Sequence, residues 1–255
     1  MPWSTPRTPR YTQHVNARFP MSTKPLLSLC VIVGDAGIST LSRLLKSFTD
    51  RESGPACDEI ILSFNGKEDH TFEFALAASG WEGDRIPAEV GGVVDGHFSR
   101  GDGVEVRGRI HRQEWRGDFS AARQENFELA SGVWRMYADT DDTLASPDDP
   151  QLVASIAETV PDEAQVDRAP TVVTSVPHDA RRPPQEWFPK LAPYINVVVC
   201  PYNYVISDVD RPLTRKRRPR IVRWDRYWAW TRSIHEVLAH SLGREIRVWN
   251  GGILL

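Results

Sequence analysis

Cysteines, long apolar runs and excess charge of one sign are all scarce in this sequence of 255 residues, and each scarcity excludes a class of protein. The three cysteines, Cys30, Cys57 and Cys200, lie far apart and lack the spacing of a metal site. Their odd number and wide separation indicate free, mostly buried thiols in a reducing compartment, so we expect a cytoplasmic protein. No apolar run approaches the length of a membrane-spanning helix, and no membrane span is therefore predicted.

Acidic residues are missing from the beginning of the chain, where the first one is Asp35. The opening residues are rich in proline and arginine and too poor in apolar side chains to order themselves, so we predict a flexible tail over residues 1–25. A targeting peptide and a natural start at Met21 are the alternatives. Over the whole chain, 31 basic and 34 acidic residues leave a net charge of −3, which gives no global signature of nucleic-acid binding.

Two apolar runs, each followed by a polar turn and a helical pattern, predict the start of a parallel sheet. Residues 26–33 form a continuous apolar run, as in a strand that is covered on both faces, and residues 58–64 form a second one. A helix capped by Ser39 or Thr40 is predicted after the first strand, and a helix over residues 71–78 after the second. Alternating strands and helices indicate an α/β protein with a mostly parallel central sheet flanked by helices.

The loops that follow these two strands are candidates for ligand binding. Ligands of α/β sheets bind beyond the carboxyl ends of the strands, so residues 34–37 (Gly34, Asp35, Ala36, Gly37) and residues 64–66 (Phe64, Asn65, Gly66) are predicted to line one edge of a cleft. Neither loop has the glycine pattern of a dinucleotide-binding fingerprint or of a P-loop, so neither alone indicates a nucleotide. A third strand is predicted near residues 104–110, after a loop or small hairpin that begins near Gly80.

Three carboxylates follow an aromatic strand that begins at Trp134. Asp139, Asp141 and Asp142 stand within four residues at the predicted strand end. Mg²⁺ is usually held by one or two protein carboxylates together with substrate phosphates, so these residues are candidates for a divalent-cation site. The alternative is a solvated acidic turn whose last residues cap the next helix.

A second motif precedes this strand, and together the two carry a resemblance to a known family. Trp115 and residues 118–123 (DFSAAR) begin a predicted helix, and the sequence DTDD follows at residues 139–142. In this order and spacing, the motifs resemble glycosyltransferase family 2, and they are most similar to its bacterial and phage branch, whose members often carry helical repeats. The similarity spans residues 26–145 and resumes near residue 196.

The resemblance implies a GT-A fold of Rossmann-like type with a small antiparallel C-terminal part, a nucleotide-diphospho-sugar donor (a UDP-sugar is favoured) and a Mn²⁺ or Mg²⁺ ion. Residues 26–145 would form the nucleotide-sugar-binding half and residues 146–255 the acceptor-side half of one domain. Asp139 would face the ribose, and Asp141 would hold the cation together with Asp142, with Asp139 as a further ligand. The other residues implied to bind the donor are Val33, Gly34, Asn65, Asp69, Asp118, Arg123 and Thr140.

Glu236 and Asp142 are the candidate catalytic residues. An acceptor hydroxyl needs a base at neutral pH, and Glu236 is the candidate base; the alternative is an ion pair with Arg232 or Arg220. His235 is a candidate to complete the metal shell or to hold a phosphate, and plain hydrogen bonding is its alternative. The predicted activity is metal-dependent transfer of a sugar to a hydroxyl, and the resemblance implies inversion at the anomeric carbon.

The donor base and the acceptor stay open at this stage. Asn65 stands where the family often has an aspartate that contacts the base, so a catalytically silent module that binds nucleotide sugars or glycans is the alternative function. Protein, glycan, lipid-linked sugar and modified nucleic acid are all open as acceptors, and the location is the host cytoplasm if the chain is phage-encoded. Residues 215–220 are a basic run, expected as a solvated hairpin turn or as a site for an anionic ligand. Trp228 and Trp230 alternate on one face of an extended segment, where they would contact a sugar ring or belong to the core.

Overall fold

The computed structural model describes residues 25–50, 55–144, 197–206, 212–234, 236–240 and 248–250. A short 3-10 turn, Asp35–Gly37, precedes the first helix. In chain order the helices and strands are β1 (Leu27–Val33), α1 (Ile38–Thr49), β2 (Glu59–Phe64), α2 (Asp69–Ala78), β3 (Trp81–Gly83), β4 (Val93–Ser99), β5 (Glu105–Arg112), α3 (Phe119–Leu129), β6 (Trp134–Ala138), β7 (Val197–Ile206), β8 (Pro212–Arg223), β9 (Trp228–Thr231), β10 (Val237–His240) and β11 (Val248–Asn250).

The strands of the described residues form two sheets. Nine of them belong to one mixed sheet in the order β11-β7-β8-β6-β1-β2-β5-β4-β3, and β9 and β10 form a separate antiparallel pair. The four central strands, β6, β1, β2 and β5, run parallel to one another, whereas β8 and β4 pair antiparallel with the outer two of them. The predicted α/β class is therefore confirmed, and the sheet is consistent with a Rossmann-like fold, although its flanks carry more antiparallel pairing than the sequence predicts.

Two cores lie on the two faces of the sheet, because successive side chains of a strand point to opposite sides. β1 places Leu29 in the larger core, which α1 and α2 cover, and Cys30 on the opposite face beside Phe127 of α3 and Trp230 of β9. Burial raises the pKa of the Cys30 thiol well above its usual range, and the Cys57 thiol is affected in the same way. Both cysteines are free and buried, as the sequence predicts.

Two sequence predictions about local structure need correction, and two others lie outside the described residues. Helix α1 begins at Ile38, before Ser39, so neither Ser39 nor Thr40 caps it; the Thr40 hydroxyl donates instead to the Gly37 carbonyl (3.1 Å). The basic residues 215–220 lie within β8 and not in a hairpin turn. The predicted tail up to residue 24 and the first part of the predicted acceptor-side half, residues 145–196, lie outside the described residues.

A buried chain of hydrogen bonds joins α3 to the parallel strands. The Asn126 amide donates to carbonyl groups of β1 and β2 and to the hydroxyl of Ser63 (2.8 Å). That hydroxyl lies 3.3 Å from Nδ1 of His111 on β5. Burial lowers the pKa of His111, although the nearby carboxylate of Glu125 acts in the opposite direction. His111 is therefore neutral in the folded protein near neutral pH.

Acid is expected to destabilise the protein through His111. Its pKa is lower in the folded state than the ordinary value of about 6.5, so the unfolded chain binds a proton first as the pH falls. The free energy of unfolding should therefore fall until His111 is protonated in the folded state as well. We expect the urea midpoint to fall between about pH 7.5 and pH 5.5, and to fall less in His111→Gln. Equal pH dependence in the two proteins would contradict this role of His111.

Candidate functional site

The carboxyl ends of the parallel strands meet at one edge of the sheet, where the sequence predicts a ligand site. β1 ends at Val33 and β2 at Phe64, so Gly34 and Asn65 lie side by side; a Cβ atom on Gly34 would be 3.3 Å from Asn65 Oδ1. The carboxylate of Asp35 joins the two loops, since it accepts hydrogen bonds from the backbone N–H groups that follow Gly66, at 2.7 and 3.0 Å. The sequence places Asp35 in a loop at the cleft edge, but its hydrogen bonds to the second loop could not be predicted, because they depend on how two distant loops meet.

Two other predicted donor-binding residues have structural partners in the described part of the chain. The Asp69 carboxylate, at the start of α2, accepts a hydrogen bond from Arg112 Nη1 at 2.5 Å. The Asp118 carboxylate caps α3, since it accepts a hydrogen bond from the Ala121 N–H at 3.1 Å. Both residues lie where strands β2 and β5 lead into helices, so they shape the edge of the site.

Gly66 allows the two loops to approach each other. A Cβ atom at this position would lie 2.1 Å from Asp35 Oδ1 and 2.6 Å from the Phe64 ring. We expect Gly66→Ala to lower the free energy of unfolding by about 1–3 kcal/mol, as overpacking does, and to displace the Asp35 carboxylate. Gly101→Ala is the matched control, because a Cβ atom on Gly101 meets no other atom within 4 Å. Chemical denaturation of both variants checks the prediction, and equal stabilities would show that Gly66 has no such packing role.

The acidic segment after β6 folds into a tight turn. The Asp142 N–H donates to the Asp139 carbonyl (3.0 Å), and the Asp139 N–H donates back to Asp142 Oδ2 (2.8 Å). Thr140 packs against Gly37 at the start of α1, and Arg43 of α1 donates from Nη2 to the Asp141 carbonyl (3.0 Å). The backbone of the turn is thus tied to α1, while Asp142 is buried and the Asp141 side chain is exposed.

Arg123 brings three distant segments of the chain together. Its buried guanidinium donates from Nη2 to Asp139 Oδ1 and from Nε to Glu236 Oε1, both at 2.6 Å. These bonds connect α3 with the end of β6 and with the loop between β9 and β10. Burial alone would lower the pKa of Arg123, but the two carboxylates outweigh it and the pKa is raised. Glu236 therefore pairs with Arg123, and not with Arg232 or Arg220 as the sequence suggests.

A second buried arginine, Arg220 of β8, faces the same turn. Its Nη1 lies 3.6 Å from Asp139 Oδ2 and 3.4 Å from Asp142 Oδ2. Arg123 and Arg220 also stack on the ring of Tyr137, with their Cζ atoms 4.7 and 4.5 Å from its centre. Burial on its own would raise the pKa of Asp139, but the two arginines outweigh it and hold that pKa below its usual range. Asp139 is therefore ionised at neutral pH, with 46% of its side chain exposed.

The acidic turn fits a cation only in combination with ligands from outside the protein. The described residues include no group of three or more His, Cys, Asp or Glu side chains that could hold a metal ion. Asp139 is paired with arginines, whereas the exposed Asp141 carboxylate makes no hydrogen bond or ion pair with the residues that the structure describes. Such a donor set fits Mg²⁺ or Mn²⁺ held by one or two carboxylates and by substrate phosphates. His235, the remaining predicted ligand, lies outside the described residues.

Of the two alternatives that the sequence leaves open for Trp228 and Trp230, sugar contact or the core, the structure confirms the core. Trp228 and Trp230 are buried, and Trp230 stacks on Phe127 with 5.4 Å between ring centres. Two aromatic residues beside the site are instead exposed: Trp115 and Phe119, at 43% each. The alternation of Trp228 and Trp230 along β9 could not distinguish sugar contact from burial in the core. Every second residue of a strand points to the same face, whether that face packs in the core or binds a sugar.

Comparison of the chain with protein-family models and with curated proteins found no match. No helix of the described residues is long and apolar enough to cross a membrane. Function is therefore inferred from the side chains of the site and from the motifs that they carry.

Proposed function

We propose that the protein is a metal-dependent glycosyltransferase of GT-A type. It would transfer a sugar from a nucleotide-diphospho-sugar, with a UDP-sugar favoured, to an acceptor hydroxyl with inversion. One observation carries this proposal: a single buried arginine, Arg123, holds both Asp139 and Glu236 at the edge where parallel strands end. The two motifs that resemble the glycosyltransferase family and the candidate base are thus neighbours, although 113 residues separate Arg123 from Glu236.

The exposed carboxylate of Asp141 supports a cationic cofactor beside an anionic donor. It lies next to Asp139 in the acidic turn and makes no ion pair with a residue that the structure describes. A diphosphate would be repelled by an ionised carboxylate at this place, and a divalent cation would attract both groups. Asp141 is best suited to hold the cation because its carboxylate is exposed, with Asp139 beside it.

The chemistry divides between the cation and the side chains of the chain. When bound, the cation supplies Lewis acidity that stabilises negative charge on the leaving diphosphate. The acceptor oxygen forms a bond to the anomeric carbon, the bond from that carbon to the diphosphate oxygen breaks, and the hydroxyl proton passes to a base. Glu236 is the proposed base, and its side chain is 18% exposed beside Arg123. Asn65 and Gly34 line the edge that would receive the nucleoside.

A donor screen tests this function. Nucleotide sugars are added to the full chain with and without Mn²⁺, and the melting temperature and the release of nucleoside diphosphate are both measured. We expect one donor to raise the melting temperature only when Mn²⁺ is present, because binding to the native state stabilises it. Release of nucleoside diphosphate should accompany that binding. Binding without release would favour the catalytically silent module, and the absence of any Mn²⁺-dependent binding would contradict both.

A further inference from the structure

An exposed aromatic pair lies directly beside the candidate site. The rings of Trp115 and Phe119 meet edge to face, with centres 4.8 Å apart, and both side chains are exposed. Ile234, in the loop between β9 and β10, is 68% exposed and directly follows Ser233, whose carbonyl accepts a hydrogen bond from the Phe119 N–H. Large apolar side chains that gather at the surface mark sites of binding more often than isolated ones do. We call Trp115, Phe119 and Ile234 the aromatic patch.

The aromatic patch is attached to the residues of the site. The Phe119 N–H donates to the Ser233 carbonyl (3.1 Å), and the neighbouring Ser120 hydroxyl donates to the Arg232 carbonyl. These bonds hold the start of α3 against the loop that carries Glu236. Arg232 has a positive φ of 71°, a conformation that side chains other than glycine adopt rarely, so the loop path is determined by its contacts. A molecule on the patch would therefore lie next to Glu236.

Charges around the patch restrict what it can bind. Its surroundings carry the acidic residues Glu114, Asp118, Glu125 and Glu236 against two basic ones, Arg116 and Arg232. Arg116 is moreover paired with Glu114 at 2.8 Å and lies 3.6 Å from Glu125. A polyanion such as a nucleic acid needs unpaired basic residues to contact its phosphates. Among the described surroundings of the patch only the Arg232 guanidinium is available for this, against four carboxylates, whereas an uncharged ligand meets no such penalty.

We propose that Trp115 and Phe119 form the acceptor subsite and that the acceptor is an uncharged carbohydrate. This inference rests on the proposed function, which requires an acceptor within reach of the base. Carbohydrate rings present C–H groups on their faces and hydroxyls at their edges, so they suit aromatic rings surrounded by polar side chains. The carboxylates around the patch would accept hydrogen bonds from those hydroxyls. The Arg232 guanidinium would donate hydrogen bonds to them. A nucleic-acid acceptor fits the patch less well, because its phosphates would face the surrounding carboxylates.

Saturation-transfer NMR on the full chain tests the subsite without requiring turnover. The probes are cellotriose, maltotriose, mannotriose, chitotriose and, as a polyanion, oligothymidylate. We expect at least one oligosaccharide to bind, and Trp115→Ala/Phe119→Ala to weaken that binding by about tenfold or more, as loss of aromatic stacking does. Trp115→Phe should retain most of the binding because it keeps an aromatic face. Phe74→Ala, which removes an aromatic side chain that is 77% exposed on α2, is the matched control and should bind normally.

Three binding results would overturn the inference. They are the absence of oligosaccharide binding, equal binding by the double variant, and binding of oligothymidylate in place of sugars. A change of sedimentation from dimer to monomer in the double variant would also overturn it, since the patch would then be an interface between copies. Donor stabilisation with Mn²⁺ is measured on the same samples. The double variant should keep it, so a failure of the acceptor subsite is distinguishable from a failure of the proposed function.

Discussion

Asp141→Ala is expected to lower metal-dependent sugar transfer by at least about 100-fold while leaving the fold intact. The Asp141 carboxylate is exposed and unpaired among the described residues, so its removal leaves no buried charge without a partner. Its carbonyl still accepts the hydrogen bond from Arg43, which preserves the turn. The loss should therefore appear in turnover, and circular dichroism and the melting temperature of the unliganded protein should be unchanged.

Asp84→Ala is the matched control for this experiment. Asp84 is also exposed, but it lies after β3, at the far side of the sheet from the acidic turn. We expect its transfer rate and its requirement for Mn²⁺ to equal those of the natural protein. If Asp141→Ala retained transfer at the level of Asp84→Ala, the acidic turn would not hold the cation and the proposed mechanism would be wrong.

Replacement of Arg123 by methionine is expected to have the largest effect on stability. Breaking a buried ion pair by removing one partner costs about 3–5 kcal/mol, because a charge is left without its counterion. Asp139 is partly exposed and keeps Arg220, so we expect a smaller loss of about 2–4 kcal/mol in the free energy of unfolding. Donor binding should weaken as well, since Asp139 loses one of its two arginine partners and the loop that carries Glu236 keeps, among the described residues of α3, only its bonds to Phe119 and Ser120.

A double-mutant cycle separates the ion pair from loss of packing. Arg123→Met/Glu236→Gln should be more stable than the sum of the single effects predicts, because each single change leaves one charge unpaired. Arg116→Met is the control, since Arg116 is exposed and pairs only with exposed carboxylates. It should change the urea midpoint little. Strict additivity of the two changes would show that Arg123 contributes through packing and not through its charge.

Local sequence was sufficient to predict the elements that carry the site. Continuous apolar runs predict β1 and β2 because both faces of these strands are buried, and the structure confirms both. Asp118 is a helix cap, as its position before the apolar segment of α3 indicates. The sequence was less informative about which residues pair with one another across the site. The resemblance implied that Arg123 binds the donor, and only the fold shows that it contacts Asp139 and Glu236.

Long-range pairing explains what the sequence did not reveal. Arg220 belongs to a basic run that reads as a solvated turn, yet β8 pairs with β6 and carries the Arg220 side chain into the sheet beside Asp142. Trp228 and Trp230 alternate as a sugar-binding face would, but the β9–β10 pair packs on α3 and buries both rings. In each case burial depends on which element covers the residue, and that element is distant in the chain.

The central claim is that Asp141 holds a divalent cation together with the diphosphate of the donor. Electron paramagnetic resonance of Mn²⁺ measures it directly, because the signal of the free aqueous ion decreases when the ion binds. We predict that the natural protein removes the free-ion signal much more strongly with UDP present than the protein or UDP does alone, and that Asp141→Ala removes no more than UDP alone. Equal loss of the signal with the natural protein and with Asp141→Ala would contradict the claim.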